Sequence, residues 1–174
     1  MQEIEVKILN INKEEIIQRL MALGAKQVSN KELVSIYFEK GNEELWHSGK
    51  MLRLRKSDKS ILCFKYKKEI SDVRSFEELE IEVSNFQNAR QLLKVIGFSE
   101  SKHVKQQRTS YLFKHSKIDI DKYESIPPLL EVESPTKAEL REIVKLLGFT
   151  MQATTTMTGR EVALHYGTFK QSAP

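Results

Sequence analysis

A single cysteine, Cys63, occurs in the 174 residues, so no disulfide can form within the chain. Cys63 sits in the apolar stretch Ile61-Leu62-Cys63-Phe64, which reads as a buried, unreactive thiol. No apolar run approaches the roughly 20 residues that a bilayer-spanning helix needs, so no membrane association is expected. The start, Met1-Gln2-Glu3-Ile4-Glu5, is acidic and strand-like, unlike the basic segment and apolar core of a signal peptide; a cytoplasmic location is expected. No GxxxxGK phosphate loop is found, and neither serine nor cysteine carries a nucleophile signature. The four histidines, His47, His103, His115 and His165, lack zinc-ligand spacing. What is abundant is charge: 30% of residues, with a net charge of +4. That balance favours anionic partners without separating phosphate substrates from nucleic acid.

The chain repeats itself. Glu3-Ile4-Glu5-Val6 recurs unchanged as Glu80-Ile81-Glu82-Val83, and in shorter form as Glu131-Val132-Glu133. Each copy leads into a helical pattern. The first starts near Asn12, with Glu15 at capping-box spacing, runs through Ile16, Ile17, Leu20 and Leu23, and stops at Gly24. The second carries Leu92, Leu93 and Ile96 before Gly97; the third carries Leu140, Ile143, Val144 and Leu147 before Gly148. Arg90 and Lys94 stand in the second unit where Arg141 and Lys145 stand in the third, which argues for internal duplication. Other segments alternate with period two: 27–38, 51–56, 61–67, 73–83, 104–113, 118–121 and 129–133. With the first strand this makes about eight, joined mostly by short turns, so an antiparallel α+β domain spanning residues 1–174 is expected rather than a doubly wound sheet. Loops are expected at 41–50, with a turn of helix near Trp46, and at 69–75, and a frayed tail from Gly167.

On a strand, alternate side chains share a face, so each ExE puts two carboxylates on one side and Ile or Val on the other. Glu3, Glu5 and Lys7 share a face, as do Arg53 and Arg55, Lys65 and Lys67, Glu78, Glu80 and Glu82, Gln106 and Arg108, Asp119 and Asp121, and Glu131 and Glu133. One sheet face is therefore ionic and the other apolar. A solvated face would account for this. A closed sheet would instead turn the same face into a lumen where bases bind phosphate oxygens and acids hold a divalent cation; carboxylates two apart repel unless a cation lies between them. Alternation alone leaves both readings open.

The ordered set of Glu3, Glu5 and Lys7, Arg53 and Arg55, Lys65, the acidic strand through Glu78 and Glu80, Arg108, Asp121, and Ile126-Pro127-Pro128-Leu129-Leu130-Glu131-Val132-Glu133 resembles the CYTH superfamily, also called triphosphate tunnel metalloenzymes. The resemblance runs from Gln2 to about Phe149 and is closest to the class IV adenylyl cyclase-like group. It implies an eight-stranded antiparallel β-barrel, or tunnel, with helices packed outside, acting on a nucleoside triphosphate or inorganic tripolyphosphate with Mg²⁺ or Mn²⁺. By that resemblance Glu3, Glu5, Glu80, Asp121, Glu131 and Glu133 would hold metal, and Lys7, Arg53, Arg55, Lys65 and Arg108 the phosphates. Glu3, Glu5 and Lys7 would be catalytic. The chemistry implied is cyclisation of ATP to cyclic AMP and pyrophosphate, or hydrolysis as in inorganic tripolyphosphatases and thiamine triphosphatases. A homodimer is the family habit. Three positions depart from the pattern: Gln106 where lysine is usual, Tyr123 for a tryptophan, and Thr158-Gly159-Arg160-Glu161 where Ser-Tyr is common.

Two further residues have bland readings: Trp46 as packing rather than base stacking, and Lys26 as a solvated turn lysine. The rival function is a noncatalytic module whose basic strands hold polyphosphate or nucleic acid, with salt-sensitive binding and no turnover. The ordered motif set disfavours nucleic acid as the partner.

Overall fold

The computed structural model of the chain describes residues 4–42, 44–68 and 75–168, with the backbone alone at 67, 68, 75 and 76. Glu3, most of the expected 69–75 loop and the end of the tail lie outside the described residues. Eight strands form one sheet: β1 (Ile4–Ile8), β2 (Lys26–Glu39), β3 (Lys50–Lys56), β4 (Ser60–Lys68), β5 (Ser75–Val83), β6 (Ser99–Phe113), β7 (Ser116–Tyr123) and β8 (Leu129–Ser134). Their order is β1-β8-β7-β6-β2-β3-β4-β5, which leaves β1 and β5 as the ends of the hydrogen-bonded series. The α+β, eight-stranded antiparallel class expected from sequence is present; among the described residues no pairing joins β1 to β5.

The three repeated units fold alike. Helix α1 (Lys13–Ala22) follows β1, α3 (Phe86–Val95) follows β5 and α4 (Lys137–Leu146) follows β8. Each is capped by a side-chain oxygen that accepts from the backbone three residues on: Asn12 from Glu15, Asn85 from Asn88 and Thr136 from Glu139. Each ends on a glycine in the left-handed region, at φ 78° for Gly24, 97° for Gly97 and 85° for Gly148. The residue after each glycine donates back into the last turn, Ala25 to Leu20, Phe98 to Leu93 and Phe149 to Val144. A short α2 (Glu44–His47) stands where the turn near Trp46 was expected, its first amides donating to the buried Glu39 carboxylate.

Between Phe149 and Gly167 the chain forms two elements that the sequence reading did not assign. A 3-10 turn over Met151–Ala153 leads to α5 (Gly159–His165), whose Thr158 and Glu161 make a reciprocal capping box. The strand expected over 104–113 begins earlier, at Ser99; Ser99–His103 holds no apolar residue, so hydrophobic alternation could not mark it.

The chain divides into two compact units, residues 1–31 with 106–174, and residues 32–105. In the first, Val6 and Ile8 of β1, Ile118 and Ile120 of β7, and Leu130 and Val132 of β8 pack under Ile16 and Leu20 of α1 and Leu140, Ile143 and Val144 of α4. In the second, Ile36, Phe38, Leu52 and Leu54 pack under Leu93 of α3. Helices α1 and α4 therefore cover the apolar side of β1, β7 and β8, and α3 that of β2 and β3, while Leu79 and Ile81 on the apolar side of β5 stay exposed; the ionic side is left for something else. Leu20 is fully buried, so Leu20→Ala should cost about 2–5 kcal/mol in chemical denaturation. A loss under about 1 kcal/mol would mean that this helix does not carry the first core.

Candidate active site

In the first unit the register brings charge together row by row. Arg108 of β6 faces Asp121 of β7; Asp119 faces Glu131 of β8; Glu131 faces Lys7 of β1, and Glu133 faces Glu5. Lys7 is also bridged to Thr155, whose backbone pairs with it in both directions at 2.8 Å. Arg108 donates from Nε and Nη2 to both oxygens of Asp121 at 2.7 and 2.6 Å, and its Nη1 lies in an ion pair 2.7 Å from Asp119 Oδ2. Its Nη2 also lies 3.6 Å from Glu131 Oε1. Lys7 Nζ contacts Glu5 and lies 3.3 Å from Glu131 Oε2, and Lys117 Nζ lies 3.0 Å from Asp119 Oδ2.

These are buried charges. Asp119 and Asp121 are 2% and 0% exposed, so their ionised forms persist only with cations against them. Burial raises the Asp121 pKa above its ordinary value, against the opposing pull of Arg108. Burial acts the same way on Glu131, but Lys7 and Arg108 outweigh it and hold that carboxyl well below the usual range. The charge of Arg108 is opposed by burial and restored by Asp121, Glu131 and Asp119, which raise its pKa.

Unit two presents a different row. Tyr37 of β2, Arg53 of β3, Cys63 of β4 and Glu80 of β5 stand side by side, with Lys65 opposite Glu78. Burial works against the charge of Arg53, yet the Tyr37 hydroxyl that it hydrogen-bonds, Cys63 and Glu78 together raise its pKa. The Nε–H of Arg53 is buried and has no acceptor, so the guanidinium keeps a donor unused. Lys65 Nζ donates to Glu78 at 2.5 Å and Arg55 lies 3.7 Å from Glu80. Glu82 pairs with Lys59 in an exposed bridge at 2.7 Å.

The sequence missed three features here. Cys63, taken as part of an apolar stretch, is buried but sits on the ionic face, its thiol 3.7 Å from Glu78. Glu78 engages the basic strands as closely as Glu80 does, a register that only strand pairing reveals. Asp119, placed on the ionic face by alternation, is outside the family motif yet is among the most buried acids of its unit. Lys105, beside Gln106, is engaged by Glu32 at 3.0 Å.

A divalent cation suits the donors of the first unit. Among its described residues the paired strands β1, β6, β7 and β8 put five carboxylates, Glu5, Asp119, Asp121, Glu131 and Glu133, on the face that carries Lys7, Arg108 and Lys117, and Asp119 Oδ1 is buried without a hydrogen-bond partner. Hard carboxylate oxygens are the ligands that Mg²⁺ takes. Among the described residues, three ligand-type atoms lie within 4.8 Å of one another only at Cys63, Glu78 and Glu80. That group fits a hard cation poorly: burial pushes the thiol up to about 11, so it is protonated, and Arg53 and Lys65 already stand against it.

The CYTH domain family model matches residues 1–163. The chain belongs to the CYTH domain family. A Methanocaldococcus jannaschii relative named as a candidate adenylate cyclase is 26% identical over 157 residues, covering 84% of this chain and 90% of that one. A Pyrococcus horikoshii structure superposes with a TM-score of 0.76 at 28% identity, covering 90% of this chain and 96% of that one. A candidate adenylyl cyclase from Hippeastrum, whose structure report describes a dominant triphosphatase activity, shares the fold at a TM-score of 0.68 and 17% identity, over 96% of each chain. This CYTH chain has, among its described residues, no helix long and apolar enough to cross a membrane.

The depressed Glu131 pKa carries a sign. A carboxyl held below its ordinary value of 4.5 stabilises the fold above that pH and loses its contribution as the pH falls below it. Glu131→Gln should therefore be less stable than the parent at pH 7, and the gap should narrow as denaturation is repeated stepwise below pH 4.5. A gap independent of pH would show that Glu131 is not ionised against Lys7 and Arg108.

Proposed function

We propose that this chain is a divalent-cation-dependent enzyme acting on the triphosphate of a nucleotide or on inorganic tripolyphosphate, with residues 1–174 working as one CYTH domain. The observation that carries this reading is that each unit has an ionic face and that the two faces differ in balance. The first unit buries the carboxylates of Asp119 and Asp121, and the second has a half-buried arginine, Arg53, whose buried Nε–H is an unused donor among the described residues. A solvated surface has no reason to bury either.

In this reading Glu5, Asp121, Glu131 and Glu133, with Glu3, hold Mg²⁺ or Mn²⁺, and Glu80 adds a carboxylate in the second unit. Lys7 and Arg108 in the first unit, and Arg53, Arg55 and Lys65 in the second, bind phosphate oxygens. The arginines suit bidentate contacts that a lysine cannot reproduce. The cation supplies neutralisation of phosphate charge and polarisation of the phosphoryl group under attack. Lys7, between Glu5 and Glu131, orients those carboxylates and is placed to meet developing negative charge. Glu3 and Glu5, with Lys7, are the residues assigned to catalysis.

Two chemistries use this cradle. Attack by a ribose 3′-hydroxyl at the α-phosphate of ATP gives cyclic AMP and pyrophosphate, the activity that the name of the Methanocaldococcus relative suggests. Attack by water at the terminal phosphate gives hydrolysis, the activity reported for the Hippeastrum protein. The substrate chemistry also suits a cytoplasmic protein, where nucleotides and Mg²⁺ are abundant.

Incubation with ATP, thiamine triphosphate and tripolyphosphate, each with Mg²⁺ or Mn²⁺, tests the reading. Turnover should stop with chelator and fall about 10²–10³-fold in Arg53→Ala or Glu131→Gln, and chromatography of the products separates cyclisation from hydrolysis. Salt-sensitive binding of long polyanions with no turnover would favour the noncatalytic module instead.

A further inference from the structure

The carboxylate oxygens of the first unit are unequally committed. Both oxygens of Asp121 accept from Arg108, and Asp119 Oδ2 is ion-paired with Arg108 at 2.7 Å and with Lys117 at 3.0 Å. The two oxygens of Glu131 face Arg108 and Lys7, and Glu5 is taken by Lys7. One buried oxygen is left over: Asp119 Oδ1, on a side chain 3% exposed, has no hydrogen-bond partner. Asp119 lies directly across from Glu131 and two residues from Asp121, so all three share the ionic face. A buried acceptor without a donor is rare in a folded protein and calls for an occupant. The place of Asp119 on one face with the carboxylates of Asp121 and Glu131 gives that occupant its sign.

We propose that Asp119 is a further cation-binding residue of this site, its Oδ1 being the oxygen that a divalent cation reaches without displacing Arg108. The inference rests on the cation-dependent reading above and adds a residue that the family motif omits. Asp119 then has two tasks: Oδ2 helps to fix the guanidinium of Arg108, and Oδ1 ties the cation to the same carboxylate. Cation and phosphate-binding arginine are thereby held at a set distance from each other by one side chain. Asp119→Asn keeps the shape of the side chain, removes its charge and leaves Arg108 gripped by Asp121.

The test titrates Mn²⁺ into the full chain, with no nucleotide or polyphosphate present, and follows the electron paramagnetic resonance signal of free Mn²⁺. Binding to Asp119→Asn should be weaker than to the parent by about tenfold or more, with unchanged far-ultraviolet circular dichroism. Equal binding by the parent and the folded variant would overturn the proposal and leave Asp119 as a positioning residue for Arg108. No binding by the parent would instead remove the cation-dependent reading, and this inference with it. Should the variant not fold, the parent labelled with ¹³C-aspartate answers the same question. Diamagnetic Mg²⁺ should shift the Asp119 carboxyl resonance, and a resonance left in place while other aspartate carboxyl signals move would overturn the assignment.

Discussion

The guanidinium of Arg108, buried among Asp119, Asp121 and Glu131, is the contact on which the first unit depends. Three carboxylates withdrawn from water are tolerable only with a cation fixed against them, and a planar group with five donors meets that need where a lysine could not. The contact also fixes register. Arg108 must face Asp121, Asp119 must face Glu131 and Glu131 must face Lys7. A slip of one residue between β7 and β8 would turn Ile120 or Leu130 toward the charges and strand the acids against α1 and α4. Packing and electrostatics therefore specify the same pairing, and neither could be changed alone.

The second unit solves a related problem with fewer buried groups. Arg53 is enclosed by Tyr37, Cys63 and Glu78, while Lys65, Arg55 and Lys59 each meet one glutamate of β5. Those pairs are partly or fully exposed and contribute little to stability on their own. Under the proposed function their part is to align side chains for a polyanion, which can exchange carboxylate for phosphate at little cost. In the first unit the same exchange would leave acids buried and uncompensated, the imbalance that the proposed divalent cation answers.

Much of this was legible in the chain. Period-two alternation gave the ionic and apolar faces of Arg53, Arg55, Glu131 and Glu133 because a strand has no other way to present them. The glycine stops at Gly24, Gly97 and Gly148 marked three helix ends because each requires a positive φ. What stayed hidden depends on pairing between distant segments. Whether Glu78 or Glu80 meets Lys65 is decided by the β4–β5 register, and the ionic setting of Cys63 by its neighbours on two other strands. Helix α5 escaped notice because no ExE strand precedes it, although Thr158 and Glu161 form the best capping box in the chain. The weight of Asp119 over other acids lies in its burial, which alternation cannot measure.

A crystal grown with Mn²⁺ and a nonhydrolysable triphosphate, with anomalous diffraction collected at the manganese edge, tests the central claim most directly. Manganese within coordination distance of the Asp121 and Glu131 carboxylates, with phosphate oxygens against Arg108 and Arg53, is the required result. Manganese and triphosphate bound only on outer surfaces, with both ionic faces unchanged and open to bulk water, would contradict it.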